Sequence, residues 1–306
     1  MKKRQLGSSD LMVSELGLGC MSLGTDYVQA KSVIDQALDL GVNYLDTADL
    51  YDFGTNEEII GKAIREKRQE IILATKVGNR WEEGKEGWHW DASKSYIKEE
   101  VKESLRRLGT DYIDLYQLHG GTMEDRIDET IEAFEDLKQE GVIRYYGISS
   151  IRPNVIREYV KKSSIISVMM QYSMFDRRPE EAVLALLSEH HISVVARGPV
   201  AKGLLSENGT QKLESKFNGK GYLDYSYEEL TSLLPDLKQV RSDHSLTESA
   251  LQYCLHSPVV ASVIAGASTV EQIKDNAKAV SGMPLTAAEY EQYQALTKSS
   301  VYEAHR

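Results

Sequence analysis

The sequence predicts a closed (β/α)8 barrel, or TIM barrel, and three observations support this prediction. Short apolar runs alternate about eight times with amphipathic helical stretches along the chain. A regular strand, helix, strand succession requires parallel strands joined by right-handed crossovers. The chain has 306 residues, and a barrel of this kind often takes about 250 residues or more as one domain. We therefore expect residues 1–306 to form a single domain.

Eight runs are predicted as strands because each is short, largely apolar and bounded by turn residues. They cover residues 16–20, 44–46, 71–77, 113–119, 143–149, 167–172, 193–197 and 261–266. An open, doubly wound sheet is the structural alternative. Such a sheet has two edges to protect and a point where the winding reverses, but the composition does not change at the midpoint of the chain. The barrel is therefore favoured.

The helices between the strands are predicted from apolar residues at helical spacing among charged ones. The two clearest stripes are Ile97, Val101, Leu105 and Leu108, and Ile127, Ile131, Phe134 and Leu137. Residues 3–15 are predicted to form a hairpin that covers the bottom of the barrel. Residues 203–245 form a long insertion rich in Gly, Ser and Lys, which we expect over the barrel mouth. Helices are also predicted over 246–256 and 286–296.

Charge and composition exclude several classes of partner. With 36 basic and 47 acidic side chains the chain carries a net charge of −11, which repels polyphosphate, so we expect neither nucleic acid nor a membrane as a partner. No run of 18 apolar residues follows the basic start, and a cytoplasmic location is predicted. Cys20 and Cys254 form no disulfide framework, and His190-His191 lacks the spacing of a metal site. The sequence does not settle oligomeric state, and we favour a monomer.

Reactive side chains in a barrel project from the C-terminal ends of its strands. Asp46 and Tyr51 follow the second strand, Lys76 ends the third, and His119 ends the fourth. Each alone has a structural interpretation: Asp46 as a turn former, Tyr51 as a rim aromatic, His119 as a hydrogen-bonded core residue. Lys76 would be desolvated and needs an anionic partner, which Asp46 can supply. Together the four side chains predict a proton-transfer site.

The chemistry of this group is specific. A phenol has an ordinary pKa of about 10, too high for efficient proton exchange at neutral pH. An ammonium group about 4 Å away favours the phenolate by about 4 kcal/mol at an effective dielectric constant near 20, before desolvation is subtracted. Lys76 would thus make Tyr51 a general acid, Asp46 would aim Lys76, and His119 would orient a carbonyl oxygen. Side chains cannot deliver hydride, so a nicotinamide cofactor is predicted.

The chain resembles the aldo-keto reductase superfamily, its bacterial branch in particular, and is also similar to the β subunits of voltage-gated potassium channels. The resemblance spans nearly the whole chain in order. It is carried by the segments LGLGCM, YLDTADLY, ILATKVG, DLYQLHG, GVIRYYGISS, ARGPVAKGLL and IAGASTVEQIKDN. It implies a metal-independent reductase that converts aldehydes or ketones to alcohols, with Tyr51 as general acid and hydride coming from carbon 4 of the reduced nicotinamide.

The resemblance also implies a set of cofactor contacts. Ser149 and Gln171 would hold the carboxamide, while Asp46 and the turn with Cys20 and Met21 would lie near the ring. The segment after the seventh strand would contact the ring and the pyrophosphate through Arg197, Gly198, Pro199, Val200, Gly203 and Leu204. The adenosine and its 2′-phosphate would be held by Gly266, Ser268, Gln272, Asp275 and Asn276.

The sequence departs from the pattern of many relatives in three respects. Arg197 stands where an aromatic residue often stacks on the nicotinamide, and Ser150 stands where asparagine is frequent. Gly266 and Gln272 stand where lysine and arginine often bind the 2′-phosphate. The start of the last barrel helix, with Ser268, could bind that phosphate instead. NADP(H) is therefore the predicted cofactor, with NAD(H) left open.

Two further hypotheses compete with a reductase. One is a regulatory subunit that senses the nicotinamide redox state with little turnover, and the other is a barrel hydrolase or isomerase. For the reductase, the substrate is predicted to be a small carbonyl compound or alcohol. Four aromatic residues are candidates for an apolar substrate wall, although the tryptophans could merely pack their loop. These residues are Tyr27, Trp81, Trp88 and Trp90.

Overall fold

In the computed structural model, which describes residues 1–82 and 84–306, eight parallel strands close into a barrel. Two antiparallel pairs lie outside it: β1 (Lys3–Gln5) with β2 (Met12–Ser14), and β6 (Asn79–Arg80) with β7 (His89–Trp90). The barrel strands are β3 (Leu16–Gly19), β4 (Tyr44–Asp46), β5 (Ile72–Val77), β8 (Ile113–Leu118), β9 (Ile143–Ser149), β10 (Ser167–Gln171), β11 (Ser193–Arg197) and β12 (Val260–Gly266).

The barrel is closed because β12 pairs with β3 and every other barrel strand pairs with two neighbours. The predicted (β/α)8 fold is confirmed, and the open sheet is excluded. The helices are α1 (Tyr27–Asp39), α2 (Thr55–Ile64), α3 (Lys94–Leu108), α4 (Ile127–Gln139), α5 (Pro153–Lys162), α6 (Val183–Glu189), α7 (Gly209–Lys216), α8 (Tyr227–Val240), α9 (Leu246–His256), α10 (Val270–Val280) and α11 (Ala287–Leu296).

The predicted and observed elements differ in two respects, the bounds of the strands and the structure of the insertion. Five predicted strands end or begin one residue away from the observed strands, where the chain enters a turn. The insertion over 203–245, in which the sequence indicated no helix, contains α7 and α8. Helix α8 begins at a capping box in which Ser226 and Glu229 bond each other's backbone amides, and it buries Leu230, Leu234 and Leu237. Pro235, a residue type that normally ends a helix, lies inside this stripe and hid the helix from the sequence pattern.

The core has two parts, one between the strands and the helices and one inside the barrel. The N-terminal hairpin contributes the buried residues Leu6, Leu11 and Val13 to the inner part, so it covers the barrel bottom as expected. The opposite end, where the carboxyl ends of the strands meet, is left for the site.

Gly17 of β3 has a packing role inside the barrel. A Cβ atom at this glycine would lie 2.4 Å from Ile264 Cδ1, so the residue allows close packing inside the barrel.

Among the described residues, every helix is too short or too polar to cross a bilayer.

Candidate active site

Lys76 is the centre of the group at the barrel mouth. Its Nζ donates hydrogen bonds to Asp46 Oδ2 at 2.7 Å and to the Thr47 carbonyl at 2.7 Å, and to Tyr51 Oη at 3.3 Å. Lys76 is 1% exposed and Asp46 is 3% exposed. The ion pair therefore lies beneath the surface, and Asp46 and Tyr51 both line the open cleft.

Local structure explains why these side chains meet. Strands β4 and β5 pair in parallel with Asp46 opposite Ala74, so Lys76 lies two residues further along β5, toward the same mouth. Beyond β4 the chain turns back, and the Asp49 amide donates to the Lys76 carbonyl at 3.3 Å. Tyr51 then opens a short 3-10 turn. The loop thus returns the phenol over the lysine.

The electrostatics keep Lys76 charged. Burial acts to lower the pKa of its ammonium group, but Asp46, with Tyr51 adding to its effect, more than offsets this, and the pKa of Lys76 lies above its ordinary value. Burial raises the pKa of Asp46, and Lys76 partly counters that shift. The two charges therefore depend on each other, because neither would be stable alone at this depth.

Gln117 belongs to this group, and the sequence analysis missed it. The residue lies on β8, is fully buried, and its Nε2 donates to Asp46 Oδ1 at 3.3 Å. The amide fixes the carboxylate oxygen that Lys76 does not use. The available signal was a polar residue inside an apolar strand, two positions before His119.

His119 follows β8 directly and faces the phenol. Its backbone amide donates to the Val77 carbonyl at 2.7 Å, and its ring centroid lies 6.0 Å from that of Tyr51 at an angle of 82°. Burial, with Lys76 and Arg197 adding to the effect, lowers the pKa of His119 to about 3. The imidazole is therefore neutral at pH 7, with one N–H to donate.

This burial predicts an acid-sensitive contribution to stability. An unfolded histidine, with a pKa of about 6.5, binds a proton between pH 7 and pH 5, whereas folded His119 does not. The unfolded state then binds more protons, so folding stability falls as pH falls. His119→Gln is expected to reduce the loss in unfolding free energy between pH 7 and pH 5 by about 2 kcal/mol. Urea titrations of both proteins at the two pH values measure the difference, and parallel pH dependence would contradict it.

A cleft of about 890 Å³ extends from Tyr51 to the start of α10. It brings together most of the residues assigned to the predicted cofactor. Those lining it are Met21, Asp46, Gln171, Arg197, Gly198, Pro199, Val200, Gly203, Gly266, Ser268, Gln272, Asp275 and Asn276. Residues far apart in sequence thus share one continuous surface.

Three assigned residues lie elsewhere. The Cys20 side chain is fully buried, where burial raises the pKa of the thiol, so only its neighbour Met21 reaches the cleft. Leu204 is also fully buried beneath the loop after β11. Ser149 lines a second cavity of about 370 Å³, together with His119.

The α10 end of the cleft is organised by Gln272. Its Oε1 accepts hydrogen bonds from the backbone amide of Ser268 at 2.8 Å and from the Ser268 hydroxyl at 3.1 Å. Thr269 caps the helix by accepting from the Gln272 amide. The amino-terminal end of an 11-residue helix therefore opens on the cleft, a position that favours an anion.

The insertion contributes a lysine that sequence reasoning did not single out. Lys212 of α7 lines the cleft and lies against Gly203, whose φ is +87°. A Cβ atom at Gly203 would be 2.2 Å from Lys212 Nζ. The glycine therefore makes room for the ammonium group at the wall of the cleft.

The four aromatic residues predicted as a substrate wall lie in different parts of the structure. Trp88 and Trp90 line the second cavity. Trp81 Nε1 donates to the Asp49 carbonyl at 3.1 Å and thereby supports the loop of Tyr51. The Tyr27 ring lies beneath Lys62 at 3.8 Å and lines neither cavity.

Within residues 1–82 and 84–306, no three His, Cys, Asp or Glu side chains are grouped to hold a metal ion.

Comparisons with known proteins agree with this geometry. Residues 15–298 match the aldo/keto reductase family. The chain is 64% identical to the "Uncharacterized oxidoreductase YqkF" of Bacillus subtilis over the full length of both. It is 30% identical to the "NADH-specific methylglyoxal reductase" of Escherichia coli, covering 92% of this chain and 94% of that protein. It superposes on aldo-keto reductase AKR11C1 from Bacillus halodurans, in its holo form, with a TM-score of 0.95 and 64% identity, covering 100% and 99% of the two chains.

Proposed function

Because this chain belongs to the aldo/keto reductase family and is an oxidoreductase of that family, we propose that it reduces aldehydes or ketones to alcohols with NADP(H). Tyr51 is the proposed general acid. The observation that carries the proposal is the buried Lys76 ammonium, 3.3 Å from Tyr51 Oη and paired with Asp46. A phenol held against a buried cation is suited to give up its proton to a carbonyl oxygen.

Each side chain has a defined part in this proposal. Tyr51 Oη donates its proton to the substrate oxygen, and Lys76 stabilises the phenolate that remains. Asp46, fixed by Gln117, keeps Lys76 charged and aimed. Neutral His119 donates a hydrogen bond to the same oxygen without competing for the proton of Tyr51. The reduced nicotinamide, when bound, supplies the hydride.

The cleft residues suit a dinucleotide. The proposed contacts from the cleft are Gln171 for the carboxamide, Arg197 for the ring, and the loop after β11 for the pyrophosphate. Ser149, which lines the second cavity that Arg197 also lines, is proposed as the other carboxamide contact. The amino-terminal end of α10, beside Ser268, is proposed to face the 2′-phosphate, since this end of a helix favours an anion, and NADP(H) is therefore proposed rather than NAD(H). The E. coli relative named as NADH-specific makes the direct comparison of both cofactors informative.

Cofactor oxidation tests the proposed function. We expect purified protein to oxidise NADPH with a panel of reactive aldehydes, and to bind NADPH more tightly than NADH in fluorescence titrations. Tight binding with negligible turnover of every carbonyl would instead support a redox sensor. Failure to bind either nicotinamide would overturn the proposal and point to a hydrolase or isomerase.

Gly203 offers a test of the cleft wall. In Gly203→Ala the new methyl group would displace Lys212 and strain a left-handed backbone. If Lys212 contacts a phosphate of the cofactor, the Kd for NADPH is expected to rise about 3–10-fold, because a charge-assisted hydrogen bond is lost. Turnover at saturating NADPH is expected to stay near the wild-type value.

Two variants control this experiment. Gly219→Ala places the same strain at φ +67° with nothing within 4 Å, and is expected to leave the Kd unchanged. Lys212→Met removes the ammonium group directly and is expected to raise the Kd as Gly203→Ala does. Wild-type affinity in both Gly203→Ala and Lys212→Met would exclude a phosphate contact.

A further inference from the structure

The second cavity lies beside the proposed proton donor and has an unusual charge. Its volume is about 370 Å³, and its wall includes His119 as well as the two arginines Arg152 and Arg197. Its described lining residues include no Asp or Glu. In a chain with a net charge of −11, two guanidinium groups in one small cavity favour an anionic occupant.

Arg152 is held in place with donors to spare. It occupies the N-cap position of α5, its amide donates to Ser150 Oγ at 3.2 Å, and its Nη1 donates to the Gly121 carbonyl at 2.5 Å. A guanidinium group has five N–H donors in a rigid plane. This anchoring fixes the side chain through one nitrogen and leaves its other donors for a ligand.

Arg197 is anchored in a similar way on the opposite side. Its Nη1 donates to Gln171 Oε1 at 3.1 Å, and the residue lines both the cofactor cleft and the second cavity. Its charge reaches the reaction centre, because it lowers the pKa of His119 together with burial and Lys76. Arg197 therefore contributes positive potential where the cleft and the cavity join.

Asp125, an acidic residue that contacts this wall, is already engaged. Asp125 accepts a hydrogen bond from Trp90 Nε1 at 2.8 Å and another from the Thr122 amide at 2.7 Å. Trp90 and Thr122 line the cavity, whereas Asp125 does not. The carboxylate therefore orients the wall and does not take up the arginine donors.

We propose that this cavity binds a carboxylate group of the substrate, so that the preferred substrates are aldehydes or ketones that carry a carboxylate, with Arg152 as a specificity-determining residue. The inference rests on the proposed reductase function. A planar carboxylate matches the fork of N–H groups on a guanidinium. The substrate carbonyl takes up hydride and the proton of Tyr51, and its carboxylate is unchanged by the reaction.

Substrate pairs in which esterification removes the negative charge of the carboxylate test the inference. We would measure NADPH oxidation with 4-formylbenzoate and its methyl ester, and with 4-oxobutanoate and its methyl ester. Wild-type kcat/KM is expected to be at least about 10-fold higher for an acid than for its ester. Rising ionic strength is expected to narrow this ratio, because salt screens the interaction.

Arg152→Gln is expected to lower kcat/KM for the acids about 10-fold through KM, with kcat and the rates for the esters unchanged. Arg152→Lys keeps the positive charge but lacks the planar fork of N–H groups. Its kcat/KM for the acids is expected to lie between the values of the wild type and of Arg152→Gln. Arg157→Gln, on the exposed side of the same helix, is the control and is expected to match the wild type. Circular dichroism checks that each variant is folded.

The outcomes separate the two proposals. If the esters are reduced as well as the acids, or if Arg152→Gln leaves the acids unaffected, the carboxylate site is overturned and the reductase function stands. If the Arg152→Gln variant does not fold, the wild-type protein still tests the carboxylate site. Its ratio of kcat/KM for acid to kcat/KM for ester, and the salt dependence of that ratio, then show whether the site exists. If the wild type reduces no carbonyl compound at all, both proposals fail.

Discussion

Tyr51→Phe is expected to lower kcat for carbonyl reduction by about 10²–10⁴-fold, because a positioned general acid contributes this much. The substitution removes one oxygen atom and keeps the ring that faces His119. Lys76 keeps its bonds to Asp46 and to the Thr47 carbonyl, so the buried ion pair survives. Stopped-flow measurement of NADPH oxidation under single-turnover conditions reports the rate of hydride transfer, which the proton donated to the carbonyl oxygen assists.

Cofactor affinity separates a chemical effect from a structural one. The Kd of the Tyr51→Phe variant for NADPH is expected to stay within about twofold of the wild-type value, since losing a group that acts on the transition state leaves ground-state binding intact. Tyr27→Phe, at a ring that lies beneath Lys62 and outside both cavities, is the matched control. A Tyr51→Phe variant with most of the wild-type rate would refute the role of this phenol.

Lys76→Met is expected to damage both stability and activity. Methionine fills a similar volume but leaves the buried Asp46 carboxylate with Gln117 as its remaining side-chain donor among the described residues. Removing one partner of a buried ion pair costs about 3–5 kcal/mol of unfolding free energy. The phenol also loses its cation, so kcat is expected to fall by about 10²-fold or more.

The pH dependence of this loss identifies its cause. Without Lys76, burial raises the pKa of Asp46 further, and the folded state binds a proton that the unfolded state releases at neutral pH. Lys76→Met is therefore expected to be less destabilising at pH 5 than at pH 8. Denaturant titrations of the variant and the wild type at both pH values measure this trend.

Two further variants control the Lys76 experiment. Asp46→Asn combined with Lys76→Met removes both charges and is expected to recover stability but not activity. Lys98→Met, at a surface lysine that pairs with Asp136 and Glu140, is expected to cost at most about 1 kcal/mol. Equal losses from Lys76→Met and Lys98→Met would show that the buried pair has no special role.

The losses of activity expected for Tyr51→Phe and Lys76→Met have a common structural origin. Asp46 ends β4 and Lys76 lies near the end of β5, and the loop between β4 and α2 returns Tyr51 to the lysine. The carboxylate, the ammonium group and the phenol form one chain of contacts from the barrel interior to the cleft. A substitution at Asp46 or Lys76 is therefore expected to change the environment of the Tyr51 phenol.

Much of this arrangement could be predicted from the sequence. The alternation of apolar runs and amphipathic helices is a local pattern, and eight repeats of it leave closure as the way to remove both sheet edges. Because parallel strands expose their carboxyl ends at one mouth, the polar residues that end neighbouring strands had to lie near one another. Asp46, Tyr51, Lys76 and His119 were found in this way.

Other features could not be predicted, for a physical reason in each case. Helix α7 was missed because it has eight residues and buries one large apolar side chain, Leu213, and α8 was missed because Pro235, a residue that normally ends a helix, lies inside it. Gln117 was missed because a buried amide inside a strand is visible only when its partner, 71 residues away, is known. Lys212 owes its place to the missing side chain of Gly203, which no periodicity encodes.

The barrel, the mouth at which the site lies and the four polar side chains at neighbouring strand ends could thus be predicted from the order of residues. Which cations are paired and which face a cavity became visible in the folded chain. Lys76 is held by Asp46, whereas Arg152 and Arg197 are each anchored by a neutral oxygen and keep donors for a ligand. Pairing depends on distances of a few ångströms between residues far apart in the chain, and the folded barrel sets those distances.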